Sequence, residues 1–390
     1  MFQRRKQRVV AKFRVKQRLT VWRACCVLVL FVISLHSTIN QSRPTVKEDS
    51  ERGRLAIIST VFNGEGLTEW FQYHRLVGVT HFYIVCDHTG PSCWRLRKLQ
   101  YVSIVETVRV SGVSQFSSLI TEDRYAKRVQ DSSCGANALF LRQMLNLRHV
   151  IRLILERPNK HGIEWIAHVD SDELLYPAGT NTFSMRELLS RTPKDVGFLT
   201  LPNYEARPTE CEVLNSPFID VTAFMKNYMH VPALDYSRWK QFVRQVHPDY
   251  FLLYANGKPI ARLAYDLEPV GVHEFQHTNG TFMKHLVASS AAILHYPFVS
   301  VKTLTEKLRR CDCSQAQHEK CSMFSFEKDL HRKASNSSES VRSMFDAHVR
   351  IDLGSDYAQT LFKAGILVHI HTPSVLLRQL KEGTLRLFRE

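Results

Sequence analysis

Residues 165–177 read Trp-Ile-Ala-His-Val-Asp-Ser-Asp-Glu-Leu-Leu-Tyr-Pro, an apolar run that ends abruptly in acids. A short apolar run bounded by turn formers reads as a buried strand. Asp170, Ser171, Asp172 and Glu173 then fall where that strand emerges. In open α/β sheets, ligands bind in the crevice outside the carboxyl ends of the strands. Side chains alternate along a strand, so Asp170 and Asp172 are expected on one side, where both approach a hard cation such as Mn²⁺ or Mg²⁺. A cation held by two carboxylates keeps open positions that a substrate diphosphate fills. The plain alternative is a solvated acidic turn after a core strand.

The surrounding chain alternates in the same style. Leu55–Val61, His81–Cys86, Gly162–Val169 and Gly197–Leu201 read as strands, and Leu67–Leu76, Ala136–Glu156 and Thr182–Ser190 as helices. Such alternation signals a largely parallel sheet with covering helices. Ser111–Asp131 is polar and reads as a loop over the sheet; beyond Arg310 the pattern turns helical, in Ser340–Ile351 and Asp356–Ala364.

A formal charge of +15 over 390 residues suggests nucleic acid until it is located. Nine Lys and Arg residues precede Ala24, with no acid among them; without them 43 bases stand against 37 acids, a net of +6. The folded part is therefore only mildly basic, which argues against a nucleic-acid partner. The same nine residues precede the apolar run Ala24–Leu35. Its long basic leader and poor cleavage site favour an uncleaved signal anchor over a signal peptide. Positive-inside orientation then puts residues 1–23 in the cytosol, 24–38 in the membrane, 39–53 in a short stem and the remainder in the lumen.

Lumenal exposure would make Asn40, Asn279 and Asn336 glycan acceptors, since each opens an Asn-x-Ser/Thr triplet. It would also favour disulfides among the seven cysteines beyond the anchor; Cys86 and Cys93 bracket a loop short enough to bridge. Cys311, Cys313, His318 and Cys321 have metal-ligand composition, but their spacing departs from the zinc knuckle, and disulfides are the preferred reading.

Three stretches together carry a family resemblance. They are Leu55–Glu65 with Glu69-Trp70 and His74; the acidic segment Asp170–Glu173; and Asn256-Gly257-Lys258-Pro259-Ile260 followed by Gly271-Val272-His273 and Ile293-Leu294-His295-Tyr296, with Lys302 and Lys307 downstream. Taken in order, residues 54–310 resemble the inverting nucleotide-sugar glycosyltransferases of family 92 and their family-2-like relatives. The resemblance implies a GT-A-like α/β domain over 54–310, with 311–390 as a cysteine-containing helical extension. It further implies Mn²⁺ or Mg²⁺ on Asp170 and Asp172, with a late histidine completing the shell: His295, or its rival His273.

The remaining candidates have bland alternatives beside them. Glu65 and Asp87 close strands near the expected nucleotide crevice, yet either could cap a helix or turn. Lys258 and Arg262, on an expected hairpin, could meet diphosphate charge or simply be solvated. Arg238, Trp239 and Lys240 suit sugar stacking or surface packing. Trp70 and His74 lie at helical spacing and read as structural. An inverting transfer needs a general base, for which Glu274 is the first candidate and Glu205 the second. The expected protein is a single-pass Golgi or ER membrane glycosyltransferase. Its donor is a nucleotide sugar, UDP-galactose by resemblance, and its acceptor a glycan, glycoprotein or glycolipid. An inactive carbohydrate-binding protein of the same fold is the alternative.

Overall fold

The structure is a computed structural model that describes residues 53–61, 67–86, 93, 95–106, 135–157, 161–243, 251–282, 284–310, 325–334 and 338–387. Along the chain the first strands and helices are β1 (Leu55–Val61), α1 (Thr68–Leu76), β2 (Val79–Cys86), β3 (Val102–Glu106) and α2 (Gly135–Glu156). They are followed by β4 (Trp165–His168), β5 (Glu173–Tyr176), α3 (Met185–Arg191), β6 (Val196–Leu201) and β7 (Asn203–Ala206). Next come α4 (Pro217–Asp220), β8 (Ala223–Met225), α5 (Ala233–Val243), β9 (Lys258–Arg262), β10 (Leu267–Gly271) and β11 (Glu274–His277). The last are β12 (Lys284–Val287), β13 (Ala292–His295), α6 (Val301–Arg310), α7 (Ser325–Ala334), α8 (Ser338–Met344), α9 (Asp356–Lys363), β14 (Leu367–His369) and α10 (Thr372–Lys381).

The main sheet has the order β12-β6-β9-β4-β1-β2-β3. Every pairing in it is parallel except those of β9, which runs antiparallel to both neighbours. The mixed, largely parallel α/β sheet expected from the sequence is present. Its strands β1, β2, β4 and β6 are largely apolar because both faces are covered, whereas the edge strand β12 is exposed. On β1, Leu55 and Ile57 join one core while Ala56 and Ile58 join the other. The second core receives Leu147, Val150, Ile151 and Ile154, the apolar stripe of α2.

A second sheet, in the order β14-β8-β7-β13-β5, begins where the acidic segment ends. The chain leaves the main sheet after His168 and enters the small one at Glu173, so the acids form the hinge between two sheets. The Glu173 amide donates to the Asp170 carbonyl at 3.1 Å and closes a turn. This turn, and not strand alternation, sets the directions of Asp170 and Asp172. Each acid meets its own neighbours.

The expected hairpin at Lys258–Arg262 is likewise corrected. The segment is a buried strand inserted between β4 and β6. Both charged ends are accommodated because each finds a carboxylate: Lys258 at one end of β4 and Arg262 at the other. Gly257 makes the entry possible. Its φ is +69°, and a Cβ there would run into the Leu201 carbonyl.

Cys86 and Cys93 are joined in a disulfide. Cys211 is a free thiol. No described helix is long and apolar enough to cross a membrane. The expected anchor at 24–38, Glu65, Asp87, the loop at 111–131 and the Cys311–Cys321 cluster lie outside the described residues.

Candidate active site at the acidic turn

The acidic turn is held from below by α1. The Trp70 indole Nε1 donates to the Asp170 carbonyl at 3.2 Å and the Glu173 carbonyl at 2.9 Å. One helical turn on, His74 Nε2 accepts the Leu175 amide at 3.2 Å, so its Nδ1 carries the proton and donates to the Trp70 carbonyl. Burial pushes the His74 imidazole down to about 3, keeping it neutral as this arrangement needs. Trp70 and His74 are therefore structural, as expected, but the structure they serve is the acidic turn.

Glu173 is fully buried beneath that turn. It accepts the Asp170 amide at 2.8 Å and the Tyr254 hydroxyl, and it pairs with Lys258 Nζ at 3.1 Å. Burial pushes its carboxyl up to about 7, with Lys258 opposing. The Lys258 ammonium also meets Asp170 Oδ2 at 2.6 Å. Burial disfavours the Asp170 carboxylate, but the charge and hydrogen bond of Lys258, with His168 nearby, outweigh it and hold the carboxyl below its ordinary range. The other Asp170 oxygen accepts from Gln143 Nε2 of α2 at 3.2 Å.

Asp172 faces outward. Its Oδ2 pairs with Lys307 Nζ of α6 at 2.8 Å, and its carbonyl accepts the Tyr296 amide at 2.8 Å. His295 stands at the end of β13, in register with Glu173 of β5. Its ring lies 4.8 Å from Tyr254, and burial pushes it down to about 4 against the pull of Asp172. His273 packs edge-on against the same Tyr254 ring at 4.2 Å. The turn thus gathers Asp170, Asp172, His295, His273 and Lys258 from four strands and their ends.

Two of the expected site residues have other work: Arg262 is placed elsewhere, and Glu205, in register with His295 on the neighbouring strand, is held by structural partners. Arg262 sits at the opposite end of β4, where it pairs with Glu164, donates to the Val196 carbonyl at 3.0 Å and lies 4.1 Å over Trp165. Glu205 is fully buried; it accepts the Leu252 and Leu253 amides and pairs with Arg207 at 2.9 Å. Its oxygens are spent on backbone donors, which is the work of a structural acid. Glu274 opens β11 with its side chain exposed. Trp239 is largely buried in a stacked column with Tyr236 and Tyr228, with Lys240 over the Tyr236 ring.

His168 went unremarked in the sequence, although it precedes Asp170 and Asp172 at a spacing of two. Its Nδ1 donates to the Val272 carbonyl at 2.9 Å, which leaves Nε2 bare in the neutral ring, 3.9 Å from Asp170 Oδ1. That nitrogen and His295 Nδ1 are both buried without a hydrogen-bond partner. Buried polar atoms left unpaired are uncommon in folded proteins. Among the described residues, no three His, Cys, Asp or Glu side chains are already gathered as a closed metal cluster. The donor chemistry nevertheless fits a hard cation: two carboxylates and two bare imidazole nitrogens around one turn.

Comparison with known proteins decides the family. The model of glycosyltransferase family 92 matches residues 58–334, which include the second half of β1, α1, the acidic turn, β9, β13 and α6. The chain belongs to glycosyltransferase family 92. Two Arabidopsis thaliana proteins are similar over 338 residues, or 85% of this chain. Glycosyltransferase-like At2g41451 is 32% identical with 73% of its own length covered, and Glycosyltransferase-like At3g57200 is 30% identical with 64% covered. Membership makes the chain a transferase by class and gives the acidic turn, which lies at the carboxyl end of β4, its functional context.

Proposed function

We propose that the chain is an inverting glycosyltransferase that moves a sugar, galactose first among candidates, from a nucleotide-sugar donor to a glycan or glycoconjugate acceptor. The observation that carries this reading is the acidic turn. It is fixed by Trp70, Glu173 and Lys258 at the strand ends, with Asp172 left open toward solvent. Asp172 and His295 would hold Mn²⁺ or Mg²⁺, with Asp170 Oδ1 and His168 Nε2 on the inner side. When bound, such a cation supplies positive charge against the donor diphosphate. Lys258 keeps Asp170 ionised and its turn in place, and Glu173 secures the same turn from beneath. An acceptor hydroxyl attacking the opposite face of the donor sugar gives inversion. Glu274, exposed beside His273, remains the candidate general base, and the buried, saturated state of Glu205 removes it from that role.

The compartment belongs to the same proposal. Residues 24–38 anchor the chain in a Golgi or ER membrane, with the catalytic domain lumenal. The Cys86–Cys93 disulfide and the exposed Asn279 of the Asn-Gly-Thr triplet support that placement. The test is a nucleotide-sugar panel with glycan acceptors, with and without Mn²⁺. Metal-dependent release of nucleoside diphosphate with inverted product supports the reading. Binding of glycans without turnover of any donor would favour an inactive carbohydrate-binding protein instead.

A further inference from the structure

The acidic turn is served by two lysines, and only one of them is free to leave. Lys258 is 2% exposed and is shared between Asp170 and Glu173, so moving it would strand two acids. Lys307 is 31% exposed, as is its partner Asp172, and its ammonium lies 5.2 Å over the Phe298 ring. The other basic candidates are occupied elsewhere. Arg262 is at the far end of β4, Arg148 is paired with Glu268 at 2.6 Å, and Lys302 of the same helix points to solvent at 84% exposed. Asp172 Oδ2 carries the ammonium at 2.8 Å, so a divalent cation bound to the same carboxylate brings two like charges together. A cation arriving there repels Lys307, and the nearest new anion is the diphosphate that the cation brings with it. A lysine is suited to such a transfer, being a point charge on a flexible four-carbon stem.

We propose that Lys307 is the residue that grips the donor diphosphate, parked on Asp172 until the nucleotide arrives. This rests on the nucleotide-sugar reading and deepens it. Lys307 then competes with the metal in the empty site and cooperates with it in the loaded one. In the empty site it prevents an uncompensated carboxylate at the mouth. In the loaded site it adds a charge-assisted hydrogen bond to the leaving group.

Titration calorimetry on the full chain with Mn²⁺ alone, then with UDP, UMP, GDP and GMP at saturating Mn²⁺, tests this. For the diphosphate that wild type prefers, Lys307→Met is expected to weaken binding roughly 10- to 100-fold. The matching monophosphate should change by less than about threefold and Lys307→Arg should recover most of the loss, because the lost bond is to the distal phosphate. Mn²⁺ alone should bind Lys307→Met more tightly than wild type, because its competitor is gone. Equal losses for diphosphate and monophosphate, or weaker binding of Mn²⁺ alone, would make Lys307 a mere support for Asp172 and overturn the proposal. A wild-type chain that binds none of the four nucleotides would sink the nucleotide-sugar reading itself, and the Lys307 assignment with it.

Discussion

Asp170 and Asp172 are two residues apart, and each meets a lysine at nearly the same distance, 2.6 Å for Lys258 and 2.8 Å for Lys307. The inner lysine is sealed under the turn with Glu173 and Tyr254, although Asp170 is itself nearly as exposed as Asp172; in the outer pair both partners keep about a third of the side chain in water. Equal distances therefore conceal unequal energetics. A buried ion pair that loses one partner leaves an uncompensated charge in a poor solvent. An exposed pair gains little from Coulomb attraction and loses little when broken. The inner region is built to keep its shape and the outer one to change partners.

The sharpest way to break this comparison is to remove each lysine in turn. Lys258→Met should destabilise the fold by about 3–5 kcal/mol, since it strands the fully buried Glu173. Lys307→Met should cost no more than about 1 kcal/mol. Urea unfolding of both variants measures the gap, and similar losses would erase the distinction between inner and outer pairs.

Trp70→Phe comes next in size. It keeps an aromatic ring in the core but deletes the donor to the Asp170 and Glu173 carbonyls. The expected loss is about 1–3 kcal/mol from unpaired buried acceptors. Turnover should fall more steeply than stability predicts, because the acids lose their brace; unchanged turnover would show that the brace does not matter.

The two regions should also separate by pH. His74 has its imidazole pushed down by burial, from 6.5 to about 3. The unfolded chain binds that proton first, so the stability it contributes is complete above pH 6.5 and is lost as pH falls from there toward 3. The slope is at most about 1.4 kcal/mol per pH unit from this one group. Lys307 and His295 outweigh burial at Asp172 and hold its carboxyl below 3.8, so the outer pair contributes above that value and loses its contribution only at lower pH. Between pH 6.5 and 4, His74→Gln should show a shallower fall in stability than wild type, whereas Lys307→Met should track wild type. A parallel fall in His74→Gln would exclude His74 as the acid-sensitive brace.

The same contrast explains what was legible in the sequence. β1, β2, β4 and β6 could be read because a strand buried on both faces needs an unbroken apolar run, and α2 because one face of a long helix must be apolar. Of the small sheet, only β13 is legible, as the apolar run that ends at His295. β7, β8 and β14 are three or four residues long, too short for any period to register, and they hold together only through non-local pairing. Lys258 and Arg262 suggested a solvated hairpin because charges flank the run; tertiary partners bury both. Glu205 suggested a base because nothing local marks an acid whose donors come from residues 252 and 253. His168 was within reach, as the first member of a His-x-Asp-x-Asp spacing. The turn after Val169, however, defeats strand alternation as a guide to which acid faces what.

The most direct test replaces the outer acid alone. Full-length wild type and Asp172→Asn would be given the nucleotide-sugar panel, an acceptor glycan mixture and Mn²⁺, with released nucleoside diphosphate as the readout. Wild type should turn over one donor, and Asp172→Asn should lose about a hundredfold or more of that rate, the equivalent of two or more decades of barrier lowering by the cation. Its unfolding midpoint should stay within the small change expected for an exposed pair. A well-folded Asp172→Asn that releases nucleoside diphosphate at the wild-type rate would contradict the placement of the reaction at this turn.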